Sequence, residues 1–156
     1  MEIRAARVDE KDLETIVHHR RAMFFDMGNR DERALGAMSE KFRPWLRRKM
    51  EAGEYLAWLA IAPDGTVAAG AGLWLMDWPP HMAAGGKWRG NILNVYTEAE
   101  YRRQGLARQL MLVAMDWCER EGVGAVILHA SPEGRALYES LGFEATNEMR
   151  LTTVVR

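Results

Sequence analysis

A short basic turn between a strand and a long helix constrains this chain more than any other feature. The turn, Arg102-Arg103-Gln104-Gly105-Leu106-Ala107, follows the strand-like run Asn91-Ile92-Leu93-Asn94-Val95-Tyr96. Turns of this kind leave several backbone N–H groups pointing at one spot, where the helix dipole attracts phosphate. Gly105 lets an anion approach the backbone closely, because glycine has no Cβ. The turn therefore predicts a pyrophosphate site; the alternative is a basic helix N-terminus that binds nothing.

Two common nucleotide-binding motifs do not explain this turn. The P-loop pattern G-x-x-x-x-G-K-[ST] of nucleotide hydrolases does not occur in the sequence. Gly70-Ala71-Gly72 lacks the third glycine of the dinucleotide-binding pattern and runs into Leu73-Trp74, which continues a strand. The anion expected at Gly105 therefore belongs to another class of ligand.

A second segment, further along the chain, narrows that class. The pattern Arg102-x-x-Gly105-x-Ala107 resembles the Q/R-x-x-G-x-G/A signature of the GCN5-related N-acetyltransferases, the GNAT superfamily. The segment Ala136-Leu137-Tyr138-Glu139-Ser140-Leu141-Gly142-Phe143 resembles the LYexxGF segment of the same family. Two motifs in the family's order are more specific than either alone. The resemblance covers nearly the whole chain, from Ile3-Arg4 onward, and identifies it as a member of this superfamily.

The resemblance implies a fold, an activity and a co-substrate. The implied fold is α/β (α+β by some schemes), with a mixed, mostly antiparallel central sheet, a parallel βαβ unit and helices on both faces. Residues 1–156 are expected to form a single N-acetyltransferase domain. The implied activity is that of an acyltransferase that uses acetyl-CoA, needs no metal and acts on an amine acceptor. Whether the chain forms a homodimer stays open.

Hydrophobic periodicity and turn residues predict the element order β-α-α-β-β-β-α-β-α-β. Helices are expected after Asp9, Asp31, Gly105 and Ser131, with a kink or restart of the second helix at Pro44. The region 77–86, rich in Pro and Gly, is expected to be a loop. Strand 125–130 is continuously apolar and is expected to be buried. The last strand is expected to pair near Phe143. The predicted strands cover residues 2–7, 55–62, 66–76, 87–96, 125–130 and 148–155.

The composition excludes several partners and locations. A chain of 156 residues with 48% hydrophobic and 28% charged residues is ordinary for one soluble domain. The formal net charge of −1 gives no general attraction to nucleic acid or anionic membrane, so we expect neither partner. The basic runs 18–21 and 47–49 are interpreted as solvated helix faces. Cys118, the single cysteine, is assigned to packing. No secretory signal or membrane span is visible, which predicts a cytoplasmic protein.

The cofactor-binding residues follow from the turn and from the resemblance. Backbone N–H groups in and after the turn are expected to meet the pyrophosphate of coenzyme A, and Arg102 and Arg103 are expected to pair with it or with the ribose phosphate. For Arg103 an exposed arginine without a ligand is an equal alternative. By resemblance, backbone groups of the preceding strand meet the pantetheine arm and the acetyl carbonyl, Val95 above all. The other residues assigned to the cofactor are Leu93, Thr97, Gln104, Gly105, Leu106, Ala107, Arg108 and Ser131.

Tyr138 is the predicted catalytic residue. By resemblance it lies near the thioester sulfur and acts as general acid. A phenol has a reference pKa of about 10, so it is protonated at neutral pH and can donate to a thiolate. The alternative is a core tyrosine that packs its helix onto the sheet.

No general base and no acceptor can be assigned from the sequence. Some relatives carry a glutamate on the strand before the turn, where this chain has Asn91 and Asn94, and an amide cannot accept the proton of an ammonium. Asp26, Asp77 and His81 are alternatives that act through water. His129 is a further one, but a satisfied core histidine is the more usual state. The presumed acceptor pocket is apolar and aromatic, with Met23, Phe24, Phe25, Asp26, Met27, Trp74, Trp78, Pro79-Pro80 and Trp88.

Three functions are compatible with these features. The first is an N-acetyltransferase that transfers an acetyl group to a primary amine of a small molecule or peptide by direct attack on the thioester. The second is a non-catalytic acyl-CoA-binding regulatory module, which Tyr138 disfavours. The third, acetylation of charged tRNA, would require a basic surface, and the net charge of −1 argues against it.

Overall fold

The computed structural model describes residues 1–82 and 86–154. Within this part, no helix is long and apolar enough to cross a membrane. The elements in chain order are β1 (Glu2–Ala5), α1 (Glu10–Asp26), α2 (Glu32–Glu51), β2 (Tyr55–Ile61), β3 (Val67–Asp77), β4 (Trp88–Thr97), a 3-10 turn (Ala99–Tyr101), α3 (Leu106–Arg120), β5 (Ala125–Leu128) and α4 (Arg135–Ser140).

The strands form one mixed sheet in the order β1-β2-β3-β4-β5. The first three pairs are antiparallel, and only β4 and β5 are parallel, joined through α3 as a βαβ unit. This confirms the mixed, mostly antiparallel sheet that the sequence predicted. The parallel pair brings the carboxyl end of β4 beside the turn that opens α3, the edge at which such sheets bind ligands.

Each face of the sheet has its own apolar cluster, because neighbouring strand residues point to opposite faces. On one face, α3 packs Leu110, Met111 and Ala114 against sheet residues such as Leu73. On the other face, α1 and α2 cover the sheet with Leu13, Ile16, Val17, Phe42, Leu46 and Met50. The helices therefore lie on both faces, as predicted. We call these the α3 face and the α1–α2 face.

The helix starts follow the predicted capping residues. The Asp9 side chain accepts a hydrogen bond from the Asp12 N–H at 2.8 Å, and Asp31 accepts from Arg33 and Ala34 at 3.1 Å. Of the two alternatives predicted at Pro44, a kink or a restart, the restart is wrong, because α2 continues through it from Glu32 to Glu51. Buried residues on both sides of the proline, Phe42 and Leu46, hold the helix against the sheet.

The C-terminal third departs from the prediction. Strand β5 ends at Leu128 and is half-buried, because no strand in the described residues covers its outer edge. The last helix begins at Arg135 rather than directly after Ser131, since residues 131–134 form a turn in which the Gly134 N–H donates to Ser131 Oγ at 3.2 Å. Residues 148–154 form no strand and are exposed. Residue 155 of that predicted strand and residues 83–85 of the predicted 77–86 loop lie outside the described residues.

A buried ion pair joins β1 to the start of α1. Arg4 donates from Nη1 to Asp12 Oδ2 at 2.7 Å and from Nη2 to Oδ1 at 3.0 Å, and the Arg7 N–H donates to Oδ2 at 2.7 Å. Asp12 is 1% exposed. The hydrogen bonds from Arg4 hold the pKa of Asp12 below its usual value despite this burial.

We expect Asp12→Asn to lower the free energy of unfolding by about 3 kcal/mol at neutral pH, because Arg4 then loses its counter-ion in a buried contact. The folded pKa of Asp12 is depressed, so the wild-type contribution is present above the unfolded carboxyl pKa. It is lost as the pH falls through the folded pKa, and the two proteins then converge. Urea denaturation from neutral to acid pH measures both effects.

Glu10→Gln is the matched control. Glu10 lies two residues before Asp12 in the first turn of α1 and pairs with Arg47 at 2.7 Å in an exposed contact, so its loss should cost less than about 1 kcal/mol. Equal losses in the two variants would contradict the importance assigned to the buried pair.

Candidate active site

The turn between β4 and α3 presents free backbone donors. Gly105 precedes α3 with φ +75°, a conformation that favours glycine, and no side chain caps the helix. Within the described residues, the N–H groups of residues 104–108 donate no hydrogen bond to a backbone carbonyl. A Cβ built at Gly105 meets no heavy atom within 4 Å, so the space in front of this backbone is open. These features are those of an anion-binding helix N-terminus.

The arginines around the turn differ in what they contact. Arg102 donates from Nη2 to Asp26 Oδ2 at 2.6 Å and from Nε to the Thr97 carbonyl at 2.9 Å, which ties the turn to α1. Arg108 donates to Ser140 Oγ at 3.1 Å. Arg103 is exposed and has no acidic partner among the described residues. Arg103 is thus the arginine of the turn that is most available to a phosphate.

A groove opens where β4 and β5 separate. Their parallel pairing runs from Arg89–Ala125 to Ile92–Leu128 and stops there, although β4 continues to Thr97. The groove has a volume of about 2500 Å³. It brings together six of the predicted site residues: Leu93, Val95, Thr97, Arg102, Ser131 and Tyr138. The remaining six, residues 103–108, lie in the turn and at the start of α3, outside the lining of the groove, and Leu106 among them is buried in the α3-face cluster.

Tyr138 lies in the wall of this groove on α4. Its ring is half-buried, meets Phe143 edge-on at 6.0 Å between ring centres and packs against the α3-face cluster. Gly134 makes room for it, since a Cβ there would lie 3.0 Å from the tyrosine ring. Burial raises the pKa of Tyr138, so the hydroxyl is protonated at neutral pH. This position is compatible with both predicted roles, general acid and packing residue.

The predicted proton acceptors are not assembled into a base. Asp26 is ion-paired with Arg102, while Asp77 and His81 are exposed near the end of β3. The expectation of a core histidine at position 129 is wrong, because β5 ends before it and His129 is exposed in the groove lining. Among the described residues, no group of three His, Cys, Asp or Glu side chains could hold a metal ion.

The presumed acceptor pocket is formed only in part. Met23, Phe24, Asp26, Met27 and Trp74 line the groove. Phe25, Trp78 and Trp88 do not line it; their rings instead lie beneath Arg30, Arg89 and Lys87, respectively. The acceptor side of the groove is therefore built from the end of α1 and from β3.

A buried polar network beside the groove was not predicted. Arg20 donates from Nη1 to Asn94 Oδ1 at 2.8 Å, and Asn94 Nδ2 donates to the Tyr55 hydroxyl at 2.8 Å. Asn94 is 3% exposed and has φ 56°. Burial raises the pKa of Tyr55 to about 12, so this hydroxyl stays protonated. The network fixes the β4 backbone at the mouth of the groove.

The interpretation of residues 18–21 as a solvated helix face is wrong for His19 and Arg20. His19 is 2% exposed, and burial, followed by the neighbouring His18, lowers its pKa to about 4. The sequence did contain a signal, because Arg20 follows Leu13 and Ile16 at helical spacing on the apolar face of α1. The basic character of the run masked it.

The comparisons with known proteins agree with this geometry. A sequence profile described as the Acetyltransferase (GNAT) family matches residues 13–143. A GCN5-related N-acetyltransferase from Ralstonia eutropha JMP134 has 35% identity and a TM-score of 0.88, and the match covers 97% of each chain. A predicted acetyltransferase from Clostridium acetobutylicum, solved with acetyl-CoA, has 24% identity and a TM-score of 0.84 over 97% of this chain and 95% of its own.

A curated relative matches a smaller part of the chain. Glucosamine 6-phosphate N-acetyltransferase from Trypanosoma brucei brucei is 36% identical over 93 residues, which are 57% of this chain and 59% of that protein. The family match spans most of the chain, and the Ralstonia structure spans nearly all of it. This chain therefore belongs to the Acetyltransferase (GNAT) family and is an acyltransferase.

We expect Gly105→Glu to abolish coenzyme A binding, measured by calorimetry, because a carboxylate then faces the pyrophosphate at the free N–H groups. Gly65→Glu is the matched control: Gly65 also has a positive φ, 89°, and open space around it, but lies in the β2–β3 hairpin. Both variants carry the same backbone strain, so only the first should lose affinity. Unchanged affinity in Gly105→Glu would show that the turn does not hold the cofactor.

Proposed function

We propose that this enzyme transfers an acetyl group from acetyl-CoA to a primary amine of a small molecule or peptide, which attacks the thioester directly. The observation that carries the proposal is the groove between β4 and β5. At one end of it lies the N-terminus of α3, which no side chain caps, along one wall runs strand backbone that β5 leaves unpaired, and Tyr138 lies in the other wall. The curated relative's named acceptor, glucosamine 6-phosphate, is a small molecule of this class.

The residues present fit coenzyme A. Its acetylated form, acetyl-CoA, supplies the acetyl group as a thioester. The N–H groups of residues 104–108 donate to no backbone carbonyl within the described residues, which suits them to a pyrophosphate. Beyond Ile92, the side of β4 that faced β5 is unpaired, so the backbone of Leu93, Val95 and Thr97 can meet an amide-bearing arm. Arg103 is available to a phosphate, while Arg102 supports the turn through Asp26.

Tyr138 holds the proton that a leaving thiolate needs. Its raised pKa keeps the hydroxyl protonated across the neutral range, and no acceptor in the described residues hydrogen-bonds it. A phenol in this state can donate to a sulfur as negative charge develops on it. We therefore assign general acid catalysis to Tyr138.

Removal of the amine proton is assigned to a route open to solvent. Asp26 is committed to Arg102, and Asn91 and Asn94 are amides. The groove is open, so water can reach the amine. Activity should then rise with pH as the fraction of free amine grows.

The proposal is tested by an assay for free thiol across a panel of primary amines, with wild type and Tyr138→Phe. We expect amine-dependent thiol release in wild type and a drop in kcat of at least about tenfold in the variant, because general acid catalysis contributes about 100- to 10,000-fold. Coenzyme A affinity should be unchanged. Tyr101→Phe, which removes a phenol packed against the same cluster, should keep wild-type kcat.

Other outcomes have definite meanings. Slow thiol release that no amine accelerates would identify a non-catalytic acyl-CoA-binding module. Wild-type kcat in Tyr138→Phe, with amine-dependent turnover, would reduce Tyr138 to a packing residue.

We further propose that the chain forms a homodimer through its C-terminal segment. Met149, Leu151 and Val154 are 94%, 85% and 85% exposed, and within the described residues the outer edge of β5 has no partner strand. A second copy would cover these apolar side chains and this edge.

Light scattering should give twice the chain mass, and the double change Met149→Ser and Leu151→Ser should shift the measured mass toward that of the monomer. A monomeric wild type would contradict the proposal.

A further inference from the structure

Arg20 is a largely buried arginine in the acceptor side of the groove. It lies on α1, on the buried face of the helix, and lines the groove together with Met23, Phe24 and Trp74. Its guanidinium carbon lies 5.0 Å from the ring centre of Phe24 and 4.9 Å from that of Phe42. Burial lowers the pKa of Arg20, yet a guanidinium stays charged in proteins. A cation is therefore held among apolar rings.

This cation has no counter-ion. Among the described residues, no carboxylate lies within ion-pair distance of Arg20, and its one hydrogen bond goes to the neutral amide oxygen of Asn94. Its Nε is buried and has no acceptor. A buried charge without a partner is unfavourable. Eight other arginines do have a carboxylate partner: Arg4, Arg21, Arg43, Arg47, Arg89, Arg102, Arg120 and Arg135.

The position of Arg20 connects it to the reacting end of the groove. Its hydrogen-bond partner Asn94 directly precedes Val95, whose backbone is assigned to the acetyl carbonyl. Asn94 also bonds Tyr55, a member of the α1–α2 cluster, whereas Tyr138 packs against the α3-face cluster. Arg20 thus approaches the groove from the side of the sheet opposite to that of the general acid.

A second unsatisfied polar atom lines the same groove. Asn91 Oδ1 is buried and has no hydrogen-bond donor among the described residues. Asn91 and Arg20 therefore offer complementary groups, an acceptor for N–H and a cation. Both residues line the groove, and Asn91 lies on β4 three residues before Asn94, the hydrogen-bond partner of Arg20.

We propose that the acceptor amine carries an anionic group, a carboxylate or a phosphate, and that this group binds the Arg20 guanidinium. The ligand supplies the missing counter-ion, and Asn91 Oδ1 is placed to accept a hydrogen bond from the same molecule. Arg20 is then a residue that determines acceptor specificity. The inference rests on the proposed acetyltransferase function, because it names the class of substrate for that site.

The experiment compares acceptors with and without the anion, and kcat/KM is expressed per concentration of free amine, because a neighbouring anion also changes the pKa of the amine. One pair is an amino acid and its amide, which tests the carboxylate; the other is an aminosugar phosphate and the unphosphorylated aminosugar, which tests the phosphate. In at least one pair we expect kcat/KM at least tenfold higher for the anionic member. The pair that shows the preference identifies the anion. No preference in either pair would overturn the proposal and leave the acetyltransferase function intact.

Variants then assign the preference to Arg20. Arg20→Gln should raise KM for the anionic acceptor at least tenfold, with little change for the neutral one and none in coenzyme A affinity. Arg20→Lys should restore part of the preference. Arg21→Gln, which removes the exposed neighbour paired with Glu32, should behave as wild type. An equal loss for both acceptors in Arg20→Gln would indicate a structural role and contradict the proposal.

If no amine is acetylated, the proposed acetyltransferase function is refuted. Anion binding then still tests the proposed site at Arg20. The protein is first saturated with coenzyme A, so that the turn at Gly105 is occupied, and inorganic phosphate or acetate is then added. A rise in Tm that Arg20→Gln abolishes supports the anion site; no rise with either anion overturns it. The wild-type comparisons need no variant, so they decide the question even if Arg20→Gln fails to fold.

Discussion

The separation of β4 from β5 is the constraint on which the rest of the site depends. It coincides with an irregularity on the other side of β4, where Gly72 pairs with Leu93 and Gly70 with Tyr96. Asn94 and Val95 together therefore lie opposite Ala71, a β-bulge, and the left-handed Asn94 is its first residue. A bulge bends its strand and increases the local twist. Because β4 bends at this point, its backbone groups beyond Ile92 on the β5 side are not paired with β5 and can meet a ligand instead.

The bulge is held in place by packing from α1 and β2. The Tyr55 hydroxyl hydrogen-bonds Asn94 and lies over Gly72, where a Cβ would come within 2.0 Å of it. His19 lies over Gly70 in the same way, with a Cβ only 2.8 Å from Nδ1. The two glycines thus admit two side chains that pack directly on the strand. The pattern Gly70-Ala71-Gly72 serves this close approach and has no role in dinucleotide binding.

The same arrangement explains why charge is placed unevenly around the groove. The Arg102–Asp26 pair joins the turn at Gly105 to the end of α1 and gives each of the two residues a partner of opposite charge. Arg20 lies on the same helix as Asp26. Among the described residues it has no carboxylate partner, and it donates a hydrogen bond to Asn94. One arginine therefore stabilises the site, while the other keeps an unsatisfied charge inside it.

The local pattern of residues determined the helices, most strands and the turn at Gly105, because periodicity, capping and glycine act within a few neighbouring residues, whereas the mixed sheet was implied by the resemblance to the acetyltransferase family. The sequence and the family resemblance also predicted Tyr138, Val95 and Ser131 as site residues, and all three line the groove. Tertiary structure alone decided the bulge at Asn94, the burial of His19 and Arg20, the exposure of His129 and the unpaired segment 148–154. Each of these depends on which distant element covers a residue: β2 and α1 cover Asn94, whereas no strand in the described chain covers β5. Neither a basic run nor an alternating segment shows which distant element will cover it. Charge therefore predicted a solvated face at His19 and Arg20, and alternation predicted a last strand. The described residues form neither of them.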